Sequence, residues 1–173
     1  MNQVESAPVR LAKESLRYFM KHSELMPAPS GDLPPELKNR AGVFVSLKKE
    51  GQLRGCIGTI LPTQSNVARE IICNAVSAAT QDPRFCKVTP AELEELEISV
   101  DILSSPERIE SMSQLDPKRY GVIVRCGHCS GVLLPDLEGI NSPEEQFAIA
   151  CRKGGIHPNE SIELYRFEVT RYH

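Results

Sequence analysis

The segment Leu53-Arg54-Gly55-Cys56-Ile57-Gly58 places a guanidinium, a thiol and two glycines within one short stretch. A thiolate is a nucleophile, and a neighbouring cation favours it over the thiol. A guanidinium presents its N–H donors in a planar fork that fits phosphate or carboxylate. Strand residues two apart share a face, which predicts that Arg54 and Cys56 point the same way. The glycines remove Cβ atoms and let a ligand or another backbone come close. Arg54, Gly55, Gly58 and Thr59 are therefore candidate ligand contacts, and Cys56 is a candidate reactive thiol. The alternatives are a small residue tolerated in a tight strand at Cys56, and a salt bridge from Arg54 to Asp82 or Glu97.

A cysteine nucleophile needs a positioned base. His22, His128, His157 and His173 lie far from Cys56 in sequence, and none stands in a pattern that predicts proximity. Asp82-Pro83-Arg84-Phe85 supplies a carboxylate in their place. Asp82 is the candidate partner of Cys56, Arg84 joins Arg54 as an anion contact, and Phe85 anchors the turn. The bland counterpart is a rigid turn with an internal Asp–Arg pair.

Cys126-Gly127-His128-Cys129 has the spacing of a metal knuckle or a dithiol. Structural zinc takes four ligands, and no second pair of this kind exists. A redox dithiol is expected at a helix N-terminus, whereas this pair falls at a hairpin tip. These residues are read as a turn, and no metal site is assigned. The run Glu92, Glu94, Glu95 and Glu97 reads as a solvated helix face and strand edge. No glycine pattern matches a phosphate loop or a dinucleotide fingerprint, so no cofactor is assigned.

The elements that must hold these groups follow from periodicity. Ser6 to Leu25 is an amphipathic helix, and the proline-rich stretch from Met26 to Arg40 is a surface loop. Gly42–Leu47 and Leu53–Leu61 form a hairpin. Ser65 caps a buried helix that runs through Ala79. Thr89-Pro90-Ala91-Glu92 has capping-box spacing and opens a short helix. Leu96 to Ile102 alternates as a half-buried strand, and Ser104 to Lys118 is turn-rich. Tyr120–Arg125 and Ser130–Leu134 make a second hairpin. A helix capped at Ser142 stops at Gly154-Gly155, and Ile162 to Tyr172 is one last strand. The two hairpin–helix segments resemble each other, with Gly42-Val43-Phe44-Val45 against Gly121-Val122-Ile123-Val124 and Gly58 against Gly131. The pattern predicts an α+β fold of antiparallel strands with covering helices.

The chain has 173 residues, 20 basic and 23 acidic side chains and a net charge of −3. That balance argues against a general nucleic-acid or membrane-surface binder. No apolar run reaches the roughly 18 residues of a membrane span. The first residues lack the apolar core of a secretory signal, so the expected compartment is the cytoplasm and the six cysteines are expected as thiols.

The chain resembles the AMMECR-type domain family, named for a chromosomal region linked to Alport syndrome and elliptocytosis. The resemblance rests on Leu53-Arg54-Gly55-Cys56-Ile57-Gly58, Asp82-Pro83-Arg84-Phe85, Ile98-Ser99-Val100, Leu133-Leu134-Pro135 and Tyr165-Arg166-Phe167-Glu168-Val169. It implies a single domain over residues 1–173, with two unequal subdomains interleaved in sequence and the hallmark beside a cleft. It also implies a shared pathway with a Memo-like protein and a radical-SAM protein. Action on nucleotides or RNA is associated with the family, but no substrate or cofactor carries over. The thiols of Cys126 and Cys129 depart from the family's usual pattern. The expected function is a cleft that binds an anionic small molecule, such as a nucleotide or modified base. The alternative is a non-catalytic adaptor that docks a Memo-like or radical-SAM partner.

Overall fold

The computed structural model describes residues 5–173 and is α+β, with two four-stranded antiparallel sheets. The chain divides into two compact units, and the second, Ser104–Val169, is inserted into the first.

In the first unit, helices α1 (Ala7–His22), α2 (Pro35–Lys38) and α3 (Val67–Thr80) accompany strands β1 (Val43–Lys49), β2 (Gln52–Gly58) and β3 (Leu96–Leu103). The strand β8 (Val169–Tyr172) completes the sheet order β2-β1-β3-β8. Val43, Val45 and Leu47 stand opposite Ile102, Val100 and Ile98. Together with α1 and α3 they form one apolar core. The other face of these strands carries Phe44, Ser46, Cys56, Ser99 and Asp101, as the cross-strand pairs require.

In the second unit, β4 (Glu107–Ile109), β5 (Gly121–Cys126), β6 (Cys129–Leu133) and β7 (Glu163–Phe167) order as β4-β7-β5-β6. Helix α4 (Pro143–Gly154) packs on β5 and β6.

Most expected elements are present, with local differences: the stretch from Met26 to Arg40, expected as a loop, contains the short helix α2 with Leu37 buried, and the turn-rich Ser104 to Lys118 contains a strand, Glu107–Ile109. α1 stops at His22 because Ser23 turns left-handed, with φ 57°, and its N–H bonds back to the Phe19 carbonyl. Asn66, not Ser65, caps α3 by accepting from the Arg69 N–H. The capping box at Thr89 forms, but it opens a 3-10 helix over Pro90–Glu95. The expected last strand breaks at Glu168, and its halves join different sheets. Ser104 brackets the break: its N–H donates to the Glu168 carbonyl at 2.9 Å, and its hydroxyl accepts from the Glu168 N–H at 2.8 Å.

The internal likeness is architectural, and its register differs from the sequence match. Gly55 stands opposite Leu47 on the α3 side, and Gly131 stands opposite Val124 on the α4 side. A Cβ on Gly55 would lie 2.2 Å from the Ala78 carbonyl oxygen, and one on Gly131 would lie 1.8 Å from that of Ala150. Gly55, not Gly58, is thus the equivalent of Gly131. At both positions a helix backbone comes closer to its sheet than any side chain allows. Gly55→Ala and Gly131→Ala should each destabilise by about 2–4 kcal/mol, because backbone must move to admit the methyl. Urea denaturation checks this; a loss below about 0.5 kcal/mol would show that the helices yield freely.

Candidate functional site

The hairpin β1–β2 is not regular. Leu47 faces Gly55 and Lys48 faces Leu53, which leaves Arg54 as the unpaired residue of a bulge. Strict alternation therefore does not carry from Arg54 to Cys56. The Arg54 guanidinium turns to the chain beyond α3. Nε and Nη2 donate to the two carboxylate oxygens of Glu92 at 3.0 and 3.2 Å. Nη1 reaches the Cys86 carbonyl at 2.7 Å, and Nη2 the Lys87 carbonyl at 3.3 Å. The expected anion clamp is thus filled by the protein itself. Neither Asp82 nor Glu97 is its acidic partner. Glu92 also accepts from the N–H and hydroxyl of Thr89, at 2.9 and 3.0 Å, so one carboxylate closes the cap and holds the guanidinium. The Arg54 guanidinium, followed by the Thr89 N–H, lowers the Glu92 pKa to about 2.

Asp82 and Cys56 do come together, but through the backbone. The Asp82 carboxylate accepts from the Cys56 N–H at 3.0 Å. It also accepts from the Arg84 N–H at 3.1 Å, from Arg84 Nε at 3.0 Å and from Arg84 Nη2 at 2.8 Å. β2 is an edge strand, and here the Asp82 turn takes the place of a neighbouring strand. Only 2% of the Asp82 side chain is exposed, against 57% for Arg84. The hydrogen bonds from the Arg84 guanidinium hold the Asp82 carboxyl far below the ordinary range, and those from the Cys56 and Arg84 N–H groups add to this. An acid this strong is a poor base; Asp82 anchors the turn.

Since the Cys56 N–H points to the sheet edge, Ser46 and Cys56 form a non-hydrogen-bonded pair, in which side chains approach most closely. The Ser46 hydroxyl lies 3.2 Å from the Cys56 sulfur. The thiol is half-buried. Burial raises its pKa and outweighs the opposing effects of the Ser46 hydroxyl and the Arg84 charge. Asp101 and Asp82 raise it further. Asp101 is itself buried and held by Arg171 through contacts of 2.7 and 3.0 Å. Cys56 is therefore a protonated thiol at neutral pH.

The remaining candidates have packing roles. A Cβ on Gly58 would lie 2.2 Å from the Phe44 ring, which covers it from the opposite strand. Thr59 donates to the buried carboxylate of Glu70 at 2.7 Å. Glu70 also gathers the Thr63 N–H and hydroxyl and the Gln64 N–H at 3.0, 2.7 and 2.8 Å, which fixes the loop after β2. Sequence reasoning missed Ser46, Asp101, Arg171 and Glu70. The alternation of β1 and β3 marks the first two as off the apolar face, but only the cross-strand register brings them near Cys56. Among the described residues, no group of three or more His, Cys, Asp or Glu side chains could hold a metal ion. No helix there is long and apolar enough to cross a membrane.

Comparison with known proteins settles the kinship. The AMMECR1 family model matches residues 9–172. The chain belongs to the AMMECR1 family. A Thermotoga maritima protein is 50% identical over 95% of both chains. A Clostridium acetobutylicum relative is 47% identical, but the match takes in 35% of that longer protein. The crystal structure of an uncharacterized Pyrococcus horikoshii protein superposes with a TM-score of 0.88 at 33% identity, over 95% of this chain and 88% of that one. The family resemblance read from the hallmark and the α+β fold are thereby both established.

Two measurements follow from the site. Glu92 has a folded-state pKa below its unfolded value of about 4.3, so its contribution is present above that value and is lost as pH falls toward 2. Glu92→Gln should cost up to about 3 kcal/mol at pH 7, and the gap from the parent should narrow between about pH 4.5 and 2. Denaturation at a series of pH values reads the gap; a constant difference contradicts the linkage. Iodoacetamide labelling followed by mass spectrometry tests the thiol. Cys56 should react more slowly than exposed Cys86 at neutral pH, with a rate still climbing past the ordinary thiol range of about 8.5. A plateau below that range would show an activated thiolate instead.

Proposed function

We propose that this protein binds an anionic small molecule, of the nucleotide or modified-base class, at the strand face around Ser46, Cys56 and Arg84, without a covalent step at the sulfur. The observation that supports this reading is the state of Arg84. Asp82 engages its Nε and Nη2 and fixes its orientation, yet more than half of the side chain stays exposed. A guanidinium oriented in advance loses less freedom on meeting a phosphate or carboxylate. Beside it the half-buried Ser46 hydroxyl donates to the Cys56 sulfur, and the protonated thiol keeps its own S–H to donate to a polar ring or a phosphoryl oxygen. Arg54, with its donors engaged by Glu92 and two carbonyls, supports the strand and does not contact the ligand.

The raised thiol pKa and the strongly acidic Asp82 weigh against nucleophilic catalysis, since neither a thiolate nor a base is at hand. Thermal denaturation with a panel of mononucleotides and phosphorylated metabolites tests the proposal. A ligand held only by the folded state should raise Tm, by about 2.7 kcal/mol of stabilisation at a hundredfold excess over Kd. Arg84→Gln should abolish the shift, with the fold verified by circular dichroism, whereas Cys56→Ser should retain it. A flat panel overturns the reading. Co-purification of a Memo-like or radical-SAM protein would then favour the adaptor.

A further inference from the structure

The Cys126-Gly127-His128-Cys129 segment takes no part in the site above. It lies wholly within the second unit, at the tip of the β5–β6 hairpin. Gly127 has φ 56°, and Cys126 and Cys129 are directly opposed across the two-residue turn. Glycine with positive φ at the first turn position gives the twist that a two-residue hairpin prefers. The turn therefore fixes the register of the two cysteines, and opposed residues point to the same face of a sheet.

We propose that Cys126 and Cys129 form a reversible disulfide across the hairpin tip, closed by low-molecular-weight disulfides such as oxidised glutathione. Directly opposed residues of an antiparallel pair have Cα atoms about 4.5 or 5.5 Å apart, depending on the pair type. Both spacings fall within the roughly 4.4–6.8 Å that a disulfide spans, so the bond forms without separating the strands. Only two residues lie between the sulfurs along the chain, which keeps the entropy of closure small.

Exposure orders the steps. Cys129 is exposed and Cys126 is half-buried against the apolar cluster of the second unit. The Cys129 thiolate attacks one sulfur of the small disulfide, and the other sulfur leaves as a thiolate that takes up a proton. Cys126 loses its proton and attacks the Cys129 sulfur of the mixed disulfide, which expels the second small thiol. Two protein thiols are oxidised, and one disulfide is reduced to two thiols. An exposed disulfide of this kind sits at the labile, easily reduced end of the range. The remaining cysteines do not offer the same pairing. Cys86 is exposed, Cys56 faces Ser46, Cys73 is half-buried on α3, and Cys151 is buried on α4.

The test uses the full chain, reduced and then equilibrated with oxidised glutathione. Intact-mass analysis should show a loss of about 2 Da, reversed by dithiothreitol. Both Cys126 and Cys129 should become protected from alkylation, and the Cys151→Ser chain should behave the same way. Cys126→Ser should stop at a glutathione adduct on Cys129. The proposal is overturned if the parent chain accumulates that adduct without closure. It is equally overturned if both thiols remain open to alkylation. Neither result bears on the anion site, which lies in the first unit.

Discussion

The carboxylate of Asp82 holds together the region around the hallmark. It is almost wholly buried, yet it meets an edge-strand N–H, an N–H of its own turn and two nitrogens of one guanidinium. A buried carboxylate without such partners would carry a large desolvation cost. Here the partners keep it ionised and make it a rigid graft on the edge of β2. Three consequences share that cause. The edge is closed to other strands, the Cys56 side chain is directed toward Ser46, and Arg84 is oriented while its outer part remains in solvent.

A second constraint is the approach of helix to sheet. Gly55 and Gly131 occupy corresponding places in two hairpin–helix units, each beneath a helix carbonyl oxygen. Because the core is made chiefly of small aliphatic side chains and lacks tryptophan, close backbone approach replaces bulk as the means of filling space. The hallmark glycines belong to this packing. Gly55 makes room for α3, and Gly58 makes room for the Phe44 ring. Arg54 is likewise committed, as the bulged residue whose guanidinium ties β2 to the segment from Cys86 to Glu92. Much of the six-residue motif is thus architecture that places one thiol and one hydroxyl side by side.

Legibility in the sequence followed locality. Caps and boxes at Thr89 and Ser142, the hairpins and the alternation of β3 depend on residues a few positions apart, and they stand where the pattern puts them. The break at Glu168 was hidden, because the apolar alternation is the same on both sides and a distant Ser104 decides it. A shared face for Arg54 and Cys56 needs an unbroken period of two, and one extra residue in β2 interrupts it. Asp82 and Arg84 stand beside Cys56 as a turn that grips its backbone.

By itself the sequence determined most of the elements, their order, the α+β class and the kinship, since these rest on short-range periodicity and on motif residues. Tertiary structure alone decided which donors the protein itself engages. Arg54 and Glu92 are 38 residues apart, and Cys56 and Asp82 are 26 apart. Such pairs meet only once strand register and the path after α3 are set, and no local propensity encodes either. The same chain could present Arg54 to solvent or to Glu92 with identical secondary structure. The folded arrangement favours Glu92 because a half-buried guanidinium is stable only when its donors are satisfied.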